Sequence, residues 1–406
     1  MRLRIKEICD YVSRGTTPDY VDEGANKVMN QATFSKGWID ESNIRYTSKA
    51  NKGARIMKGD LLMASTGGGV LGKVFFFDDD DSFYADSHVT IMRNSKGANL
   101  MKYLYYYFYL RYEEINATMV KGSTNQTELQ RNYLLSYELD VPTLADQQRM
   151  ITYLDTKLSE IDHQVSLLTS KRDAYLRLKK SIINHAVTRG LDPNVKMKDS
   201  GIEWIGEVPE HWEVKRMKDI CALSPNIKSC SEYEYGSYLP MEGLRLDQIE
   251  TSDELVSTLQ GKYTPFEDND LLVAKVTPCF ENGNIAIAKG LTNGVGFGSS
   301  EIFVLRANKY NNIRFLFYMS LSSKFQDKAC ATMCGVGGLK RISPLFMKTY
   351  IMAIPPSTEQ NAIATYLDDK CAKIDTIVSN LDKQISRYAD LKRSLIDEVI
   401  TGKRAV

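Results

Sequence analysis

The stretch "VPTLADQQRMITYLDTKLSEIDHQVSLLTSKRDAYLRLKKSIINHAVTRG", Val141 to Gly190, decides the fold, because the chain writes it a second time. "IPPSTEQNAIATYLDDKCAKIDTIVSNLDKQISRYADLKRSLIDEVITGK", Ile354 to Lys403, aligns with it without a gap; residue 354 stands opposite 141, and the offset of 213 holds throughout. Identical pairs include Pro142/Pro355, Gln147/Gln360, Thr152-Tyr153-Leu154-Asp155/Thr365-Tyr366-Leu367-Asp368, Ile161-Asp162/Ile374-Asp375, Tyr175/Tyr388 and Leu178-Lys179/Leu391-Lys392. A repeat of this length means one structural unit built twice.

Each copy predicts one long helix. A proline stands near the start, Thr143 or Ser357 can cap it with an acid close behind (Asp146, Glu359), the interior lacks Gly and Pro, and Gly190 or Gly402 closes it. Leu154, Leu158, Ile161, Val165, Leu168, Arg172, Tyr175, Lys179, Ile182 and Ala186 form a stripe at alternating steps of four and three; Leu367, Cys371, Ile374, Val378, Leu381, Ile385, Tyr388, Lys392, Leu395 and Val399 repeat it. That is coiled-coil patterning. About 44 helical residues rising ~1.5 Å each give a rod of roughly 65 Å, too long to bury its stripe on a small domain. The two copies are therefore expected to bury each other, antiparallel across a pseudo-two-fold. Arg172, Lys179 and Lys392 on the stripe fit register setting or snorkelling at a rim. The outer charges, "KRDAYLRLKK" and "KQISRYADLKR", suit a solvated face or a stripe along DNA.

The preceding segments correspond more loosely: "KEIC" (6–9) with "KDIC" (218–221), "GDLLMA" (59–64) with "NDLLVA" (269–274), "SHVTIMR" (87–93) with "SEIFVLR" (300–306), and "KGSTNQTEL" (121–129) with "CGVGGLKRI" (334–342). Short strands are expected at 60–65, 73–77 and 88–93, and at 271–276, 284–288 and 301–306, followed in each copy by an apolar-periodic helix. The tyrosines of the first of these helices, Tyr103, Tyr105, Tyr106 and Tyr107 beside Phe108, suit core packing more than base stacking. The fold expected is α+β. Two α/β domains, 1–140 and 218–353, are separated by antiparallel coiled-coil helices, 141–190 and 354–406, with a linker at 191–217.

Composition narrows the function. The 406 residues suffice for two or three cored domains, and 52 basic against 51 acidic side chains leave a net charge of +1, with no global nucleic-acid footprint. The 7 cysteines are scattered without C-x-x-C, which signals neither disulfides nor zinc and fits a reducing cytoplasm. The apolar run "YLYYYFYL" (103–110) is too short to span a bilayer, so a soluble protein is expected.

"STGGGVLGKV", Ser65 to Val74, has the G-x-x-x-x-G-K spacing of a phosphate loop. Val74 stands where a Mg²⁺-binding hydroxyl is needed, and the flanks read as strands; a Gly-rich hairpin turn fits better. Small, amide, hydroxyl and basic residues recur on such loops: Thr66, Gly67 and Lys73; Lys121, Ser123, Asn125 and Gln126; Lys275, Thr277, Asn282 and Asn284; Lys340 and Arg341. Backbone amides there can approach phosphates while the side chains reach base edges, although any one loop alone is ordinary turn chemistry.

The helix starts "VPTLADQQRMITYLD" and "IPPSTEQNAIATYLD", with the linker "MKDSGIEWIGEVPEHWEVKRMKDI" (197–220), closely resemble the specificity subunit of type I restriction–modification systems over essentially the whole chain. The resemblance implies two target-recognition domains, each reading one half of a split, asymmetric site in double-stranded DNA. It also implies helices that set the spacing and dock two methyltransferase subunits, which carry S-adenosylmethionine, with restriction and translocase subunits joining them. Gln147, Tyr153, Gln360 and Tyr366 are the repeated candidates for partner contact, and the loop residues above are the DNA-binding candidates. The N-terminal "MRLRIKEICD" lacks a copy of "GIEWIGEVPEHWEV", which leaves open how fully the first domain closes on the second helix.

Catalytic and metal residues are not expected, nor a cofactor in this chain. "IPPS" (354–357) lacks the polar and aromatic residues of an amino-methyltransferase motif, and "GFGSS" (296–300) precedes a strand rather than opening a helix. "EVK" (213–215) has no acidic partner strand for Mg²⁺, "DDDD" (78–81) reads as a solvated turn, and His88, His163, His185 and His211 have no ligand spacing. The alternatives are a coiled-coil scaffold with two protein- or glycan-binding domains and a free-standing methyltransferase. Methylated adenines mapped in cells carrying the complete system should fall in a split motif; a continuous motif would refute the reading.

Overall fold

The computed structural model describes residues 1–406 apart from 50, 68, 123–126, 226, 228–231 and 337. The chain divides into two compact units, Met1–Leu168 with Lys383–Val406, and Thr169–Asp382. Both long helices, Leu144–Arg189 and Ser357–Ile400, contribute to both units.

In the first unit a four-stranded antiparallel sheet runs in the order Tyr11–Arg14, Val89–Arg93, Leu61–Ala64, Val74–Phe76. Its strand Leu61–Ala64 is apolar throughout because both faces are covered. Leu61 and Met63 pack with Met101 and Leu104 of the helix Ala98–Leu110, whereas Leu62 and Ala64 pack with Met29, Phe34 and Phe83 on the other side. The latter belong to or adjoin a five-stranded sheet ordered Tyr20–Val21, Arg45–Thr47, Asn26–Met29, Phe83–Ala85, Arg55–Ile56, with Asn26–Met29 and Phe83–Ala85 parallel.

The second unit repeats the plan. Its four-stranded sheet is Cys221–Leu223, Ile302–Ala307, Leu271–Ala274, Ile285–Ile287, and its companion is Ser252–Leu255, Tyr235–Leu239, Val295–Gly298, Thr264–Glu267, again with one parallel pair, Tyr235–Leu239 with Val295–Gly298. The six strands expected from sequence are all present, with ends within one or two residues of those expected. The companion sheets were not expected. Tyr103, Tyr106, Tyr107 and Phe108 are buried in the core, as packing rather than stacking requires.

Each unit fastens its domain to a long helix through one carboxylate. Asp155 accepts from Tyr106 Oη (2.6 Å) and Lys102 Nζ (2.6 Å); its repeat counterpart Asp368 accepts from Tyr318 Oη (2.7 Å) and Arg314 Nε (2.6 Å). Burial, together with hydrogen-bond donation into these carboxylates, pushes both tyrosines well above the usual phenol range.

Within each unit the helix halves are antiparallel. In the first, Lys392 pairs with Asp162 (2.8 Å) and Arg404 reaches Tyr153 (3.1 Å); in the second, Lys179 pairs with Asp375 (2.6 Å) and Arg172 with Asp382 (3.4 Å). The polar stripe positions are thus cross-helix ion pairs, and exchanging the repeats converts Lys179–Asp375 into Asp162–Lys392. As half-exposed pairs they add at most about 1 kcal/mol each, so their effect is on register. Leu154, Leu158, Ile161, Leu367, Cys371 and Ile374 are buried, while Val165, Leu168, Tyr175, Val378, Ile385 and Tyr388 are half-buried along the two-helix seam.

Helix ends follow the sequence with one difference. Thr143 Oγ1 accepts the Asp146 amide (3.2 Å), but the second helix begins at Ser357 itself, and the Pro356 carbonyl takes the Glu359 and Gln360 amides (2.9 and 3.0 Å). Glu359 is occupied elsewhere: its carboxylate takes Trp212 Nε1 (3.2 Å) and His211 Nε2 (2.6 Å). Gly190 lies beside it at φ +76°, a left-handed conformation that favours glycine at the helix end, and a Cβ there would press on Glu359 Oε1 at 2.8 Å. The stretch expected as a linker folds onto the second unit, with a hairpin of Met197–Asp199 and Glu207–Pro209, a fully buried Trp212, and Glu213–Arg216 paired with Ile351–Ile354.

A buried fork recurs in each sheet. Asp60, fully buried, takes Arg93 Nε and Nη2 at 2.6 and 2.7 Å and the Met57 amide at 2.7 Å. Asp270 takes Arg306 Nε and Nη2 at 2.7 Å each and the Glu267 amide at 2.8 Å. Removing one partner leaves a charge without compensation, so Asp60→Ala or Asp270→Ala should lower stability by about 3–5 kcal/mol. Urea unfolding measures this; a loss below about 1 kcal/mol would show the forks to be dispensable.

Candidate nucleic-acid interface

The fork lies at one end of the strand pair Leu61–Ala64/Val89–Arg93; the candidate loops lie at the other. Past Ala64 the chain keeps pairing for three residues, now with a short hairpin, Val120–Lys121 and Glu128–Leu129. Leu129 N donates to Ser65 O (2.9 Å), Thr66 bridges Glu128, and Gly67 N donates to Thr127 O (3.1 Å). Gly67 sits at φ +83°, a left-handed turn open to glycine. Two neighbours complete the edge. His88 Nδ1 lies 2.6 Å from Thr66 Oγ1, and Arg14 donates from Nη2 to Ser65 O (3.2 Å) with Nη1 3.6 Å from Glu128.

The second unit builds the same frame. Ile342 N donates to Lys275 O (2.9 Å), Val276 bridges Arg341, and Thr277 N donates to Lys340 O (3.0 Å), on a hairpin of Cys334–Val336 and Leu339–Arg341. The Thr277 hydroxyl donates to Gly338 O (2.8 Å) and accepts the Lys340 amide (2.9 Å). Arg341 forks onto Glu301 through Nε (3.1 Å) and Nη2 (2.9 Å).

The structure therefore brings Thr66, Gly67 and Lys121 together, and likewise Lys275, Thr277, Lys340 and Arg341. Ser123, Asn125 and Gln126 lie outside the described residues. Several candidates turn out to be engaged by the fold. Lys275 is half-buried, donates to Ser300 O (2.6 Å) and lies over the Phe303 ring (4.7 Å); burial draws its pKa down. Thr277 and Asn284 are buried, whereas Asn282 is exposed. Lys73 stands apart from the edge: its Nζ donates to Ser35 O (3.1 Å), and it lines a cleft of about 290 Å³ with Gly37, Tyr105, Tyr109 and Tyr112.

The partner candidates divide in the same way. Gln147 and Gln360 are buried, and each donates from Nε2 to the carbonyl of the proline five residues before it (2.9 Å); Gln360 Oε1 also takes the Asn312 amide (2.8 Å). Their invariance between copies serves the helix start. Tyr153 is half-buried under Arg404, and Tyr366 is exposed. Sequence reasoning missed Arg14, His88, Glu128 and Glu301. The only available signal was register, since His88 and Glu301 stand 213 apart, as do Glu128 and Arg341.

A mixed-sheet domain written twice, each copy packed on part of the helix pair and carrying a hairpin edge whose charges differ between copies, defines a protein built by internal duplication. Residues 1–167 and 209–387 match the family described as type I restriction modification DNA specificity domain, and the chain belongs to that family. It is 28% identical over 198 residues to the type I restriction enzyme EcoEI specificity subunit of Escherichia coli, a match covering 48% of this chain and 33% of that protein; the chain thus spans about a third of that relative's length. To the putative type I restriction enzyme MjaX specificity subunit of Methanocaldococcus jannaschii it is 22% identical over 414 residues, covering 98% and 92%. A solved chain from work on complex assembly and conformational transition of the type I R-M system shares the fold, at TM-score 0.70 and 13% identity over 98% of this chain and 97% of that one.

Burial pushes the thiols of Cys9 and Cys221 up to about 12, while Cys334 at the base of the second hairpin is exposed. Only about one in 10⁴ of the buried thiols is thiolate at pH 8. Iodoacetamide at that pH should modify Cys334 and spare Cys9 and Cys221, as peptide mass spectrometry will show; equal labelling would refute the packing of both sheets.

Proposed function

We propose that this chain is the DNA-recognition component of a type I restriction–modification complex, each unit reading one half of a bipartite, asymmetric duplex site. One observation supports this above the others. The two units keep the same backbone hydrogen bonds at the hairpin edge and change the side chains that it presents, which is how one fold serves two sequences. A two-stranded ribbon fits the major groove, where each base pair shows a distinct pattern of donors and acceptors. The recognition domains are 1–140 and 218–353 in this reading, and the long helices set a gap of unread base pairs of about one helical turn.

The helices are also the proposed docking surface for two methyltransferase subunits, which hold S-adenosylmethionine and perform the chemistry, and through them for restriction and translocase subunits. Leu178 and Leu391, repeat counterparts that are 46% and 50% exposed, and Tyr366 are apolar surface available for this. The chain itself acts by recognition, without catalysis, in the cytoplasm where its DNA lies. Among the described residues no helix is long and apolar enough to cross a membrane.

Lys121 and Lys340 are exposed on the two hairpins and have no ion-pair partner among the described residues. With the methyltransferase subunits bound, Lys121→Ala and Lys340→Ala should each weaken duplex binding across all sequences and reduce the slope of log affinity against log salt by about 1. Fluorescence anisotropy between 50 and 200 mM salt gives the slope, and an unchanged slope would turn these edges away from DNA.

A further inference from the structure

We infer that residues 128 and 341 are specificity-determining residues that read base edges of opposite hydrogen-bonding polarity, Glu128 a cytosine amino group in one half-site and Arg341 a guanine in the other. This rests on the reading of the two edges as DNA-facing.

The two positions are the same place in the fold. Each bridges the second residue after the strand, Thr66 with Glu128 and Val276 with Arg341, and each precedes the residue whose amide donates to Ser65 O or Lys275 O. Each belongs to an ion pair with a residue at a strand end, Arg14 closing Tyr11–Arg14 and Glu301 just before Ile302–Ala307. In both pairs the hairpin member is the more exposed: Glu128 at 56% against Arg14 at 35%, and Arg341 at 50% against Glu301 at 30%. The member outside the hairpin thus orients, and the hairpin member projects. Arg14 is fixed as a support, its Nη2 on Ser65 O and its Nε buried without a partner among the described residues. Glu301 holds Arg341 through both Nε and Nη2, which fixes the guanidinium plane and leaves Nη1 free of the carboxylate.

Inversion of charge at one position decides between backbone and base. A carboxylate is repelled by phosphates, so a position that accepts glutamate in one unit and arginine in the other cannot be a phosphate contact in both. Base edges tolerate either sign. In the major groove a carboxylate accepts from cytosine N4, and a guanidinium donates to guanine O6 and N7.

The test uses the full chain with its methyltransferase subunits and selects bound duplexes from a randomised library by sequencing. The wild type should yield a split motif with a guanine in one half and a cytosine at the corresponding place in the other. Arg341→Gln should lower discrimination at that guanine by about 5- to 150-fold and leave the other half unchanged. Glu128→Gln should relax the cytosine towards adenine, which a side-chain amide reads, with no change in the guanine half. If Arg341→Gln loses cooperative melting, Arg341→Lys, which keeps the charge but not the fork, should show the same loss at guanine. A split motif whose base preferences survive in both variants would overturn the inference, as would uniform weakening with a smaller salt slope. A wild type that selects no split motif would instead overturn the functional reading.

Discussion

A carboxylate that cannot stay charged in the interior without a partner organises each half of this protein. Asp60 and Asp270 stand just ahead of their apolar strands and are buried, so each demands the guanidinium at the far end of the neighbouring strand, Arg93 or Arg306. The bidentate fork and one backbone amide satisfy the charge and fix the stagger of the two central strands. With antiparallel pairing, the stagger set at one end is transmitted to the other. There, roughly 13 Å away for a four-residue strand, Ser65–Gly67 and Lys275–Thr277 receive their hairpins. The geometry of the hairpin edge follows from a constraint located at the opposite end of the sheet.

A second set of carboxylates ties these domains to the helices. Asp155 and Asp368 end the repeated Tyr-Leu-Asp motif, and each accepts a phenol and a cation from its own domain. Two helical turns further, Asp162 and Asp375 face lysines of the opposite helix. The acid at each position is invariant between the copies because its partner is set by the fold. At the hairpin edge the ion pairs are exchanged: Arg14 with Glu128 in one unit, Glu301 with Arg341 in the other.

The repeat, the helix limits, the cross-helix stripe and the six central strands were legible because each has local periodicity or a counterpart at a fixed offset. The companion sheets were not: their strands have two to five residues, and their parallel pairs join segments more than fifty residues apart, Asn26–Met29 with Phe83–Ala85. At the candidate site, sequence found the loops but not their occupants. A lysine on a glycine-rich loop looks free, yet Lys73 and Lys275 are held by backbone carbonyls, and a threonine suited to a base contact, Thr277, binds its own hairpin. Arg14, at the end of a strand, and Glu301, in the turn before one, lie far along the chain from their hairpins, and only the folded pairing brings them in.

The two units differ in when they can be completed during synthesis. The second is one continuous segment, Thr169–Asp382, whereas the core of the first includes Leu395, Ile396, Val399 and Ile400 from the second helix. A chain emerging from the ribosome therefore has every residue of its second unit before the first can close. Until then Leu154, Leu158 and Ile161 lack their covering partners, and exposed apolar surface of this kind is what makes partly made chains aggregate. The order in which the chain is written is the reverse of the order in which its halves can be finished.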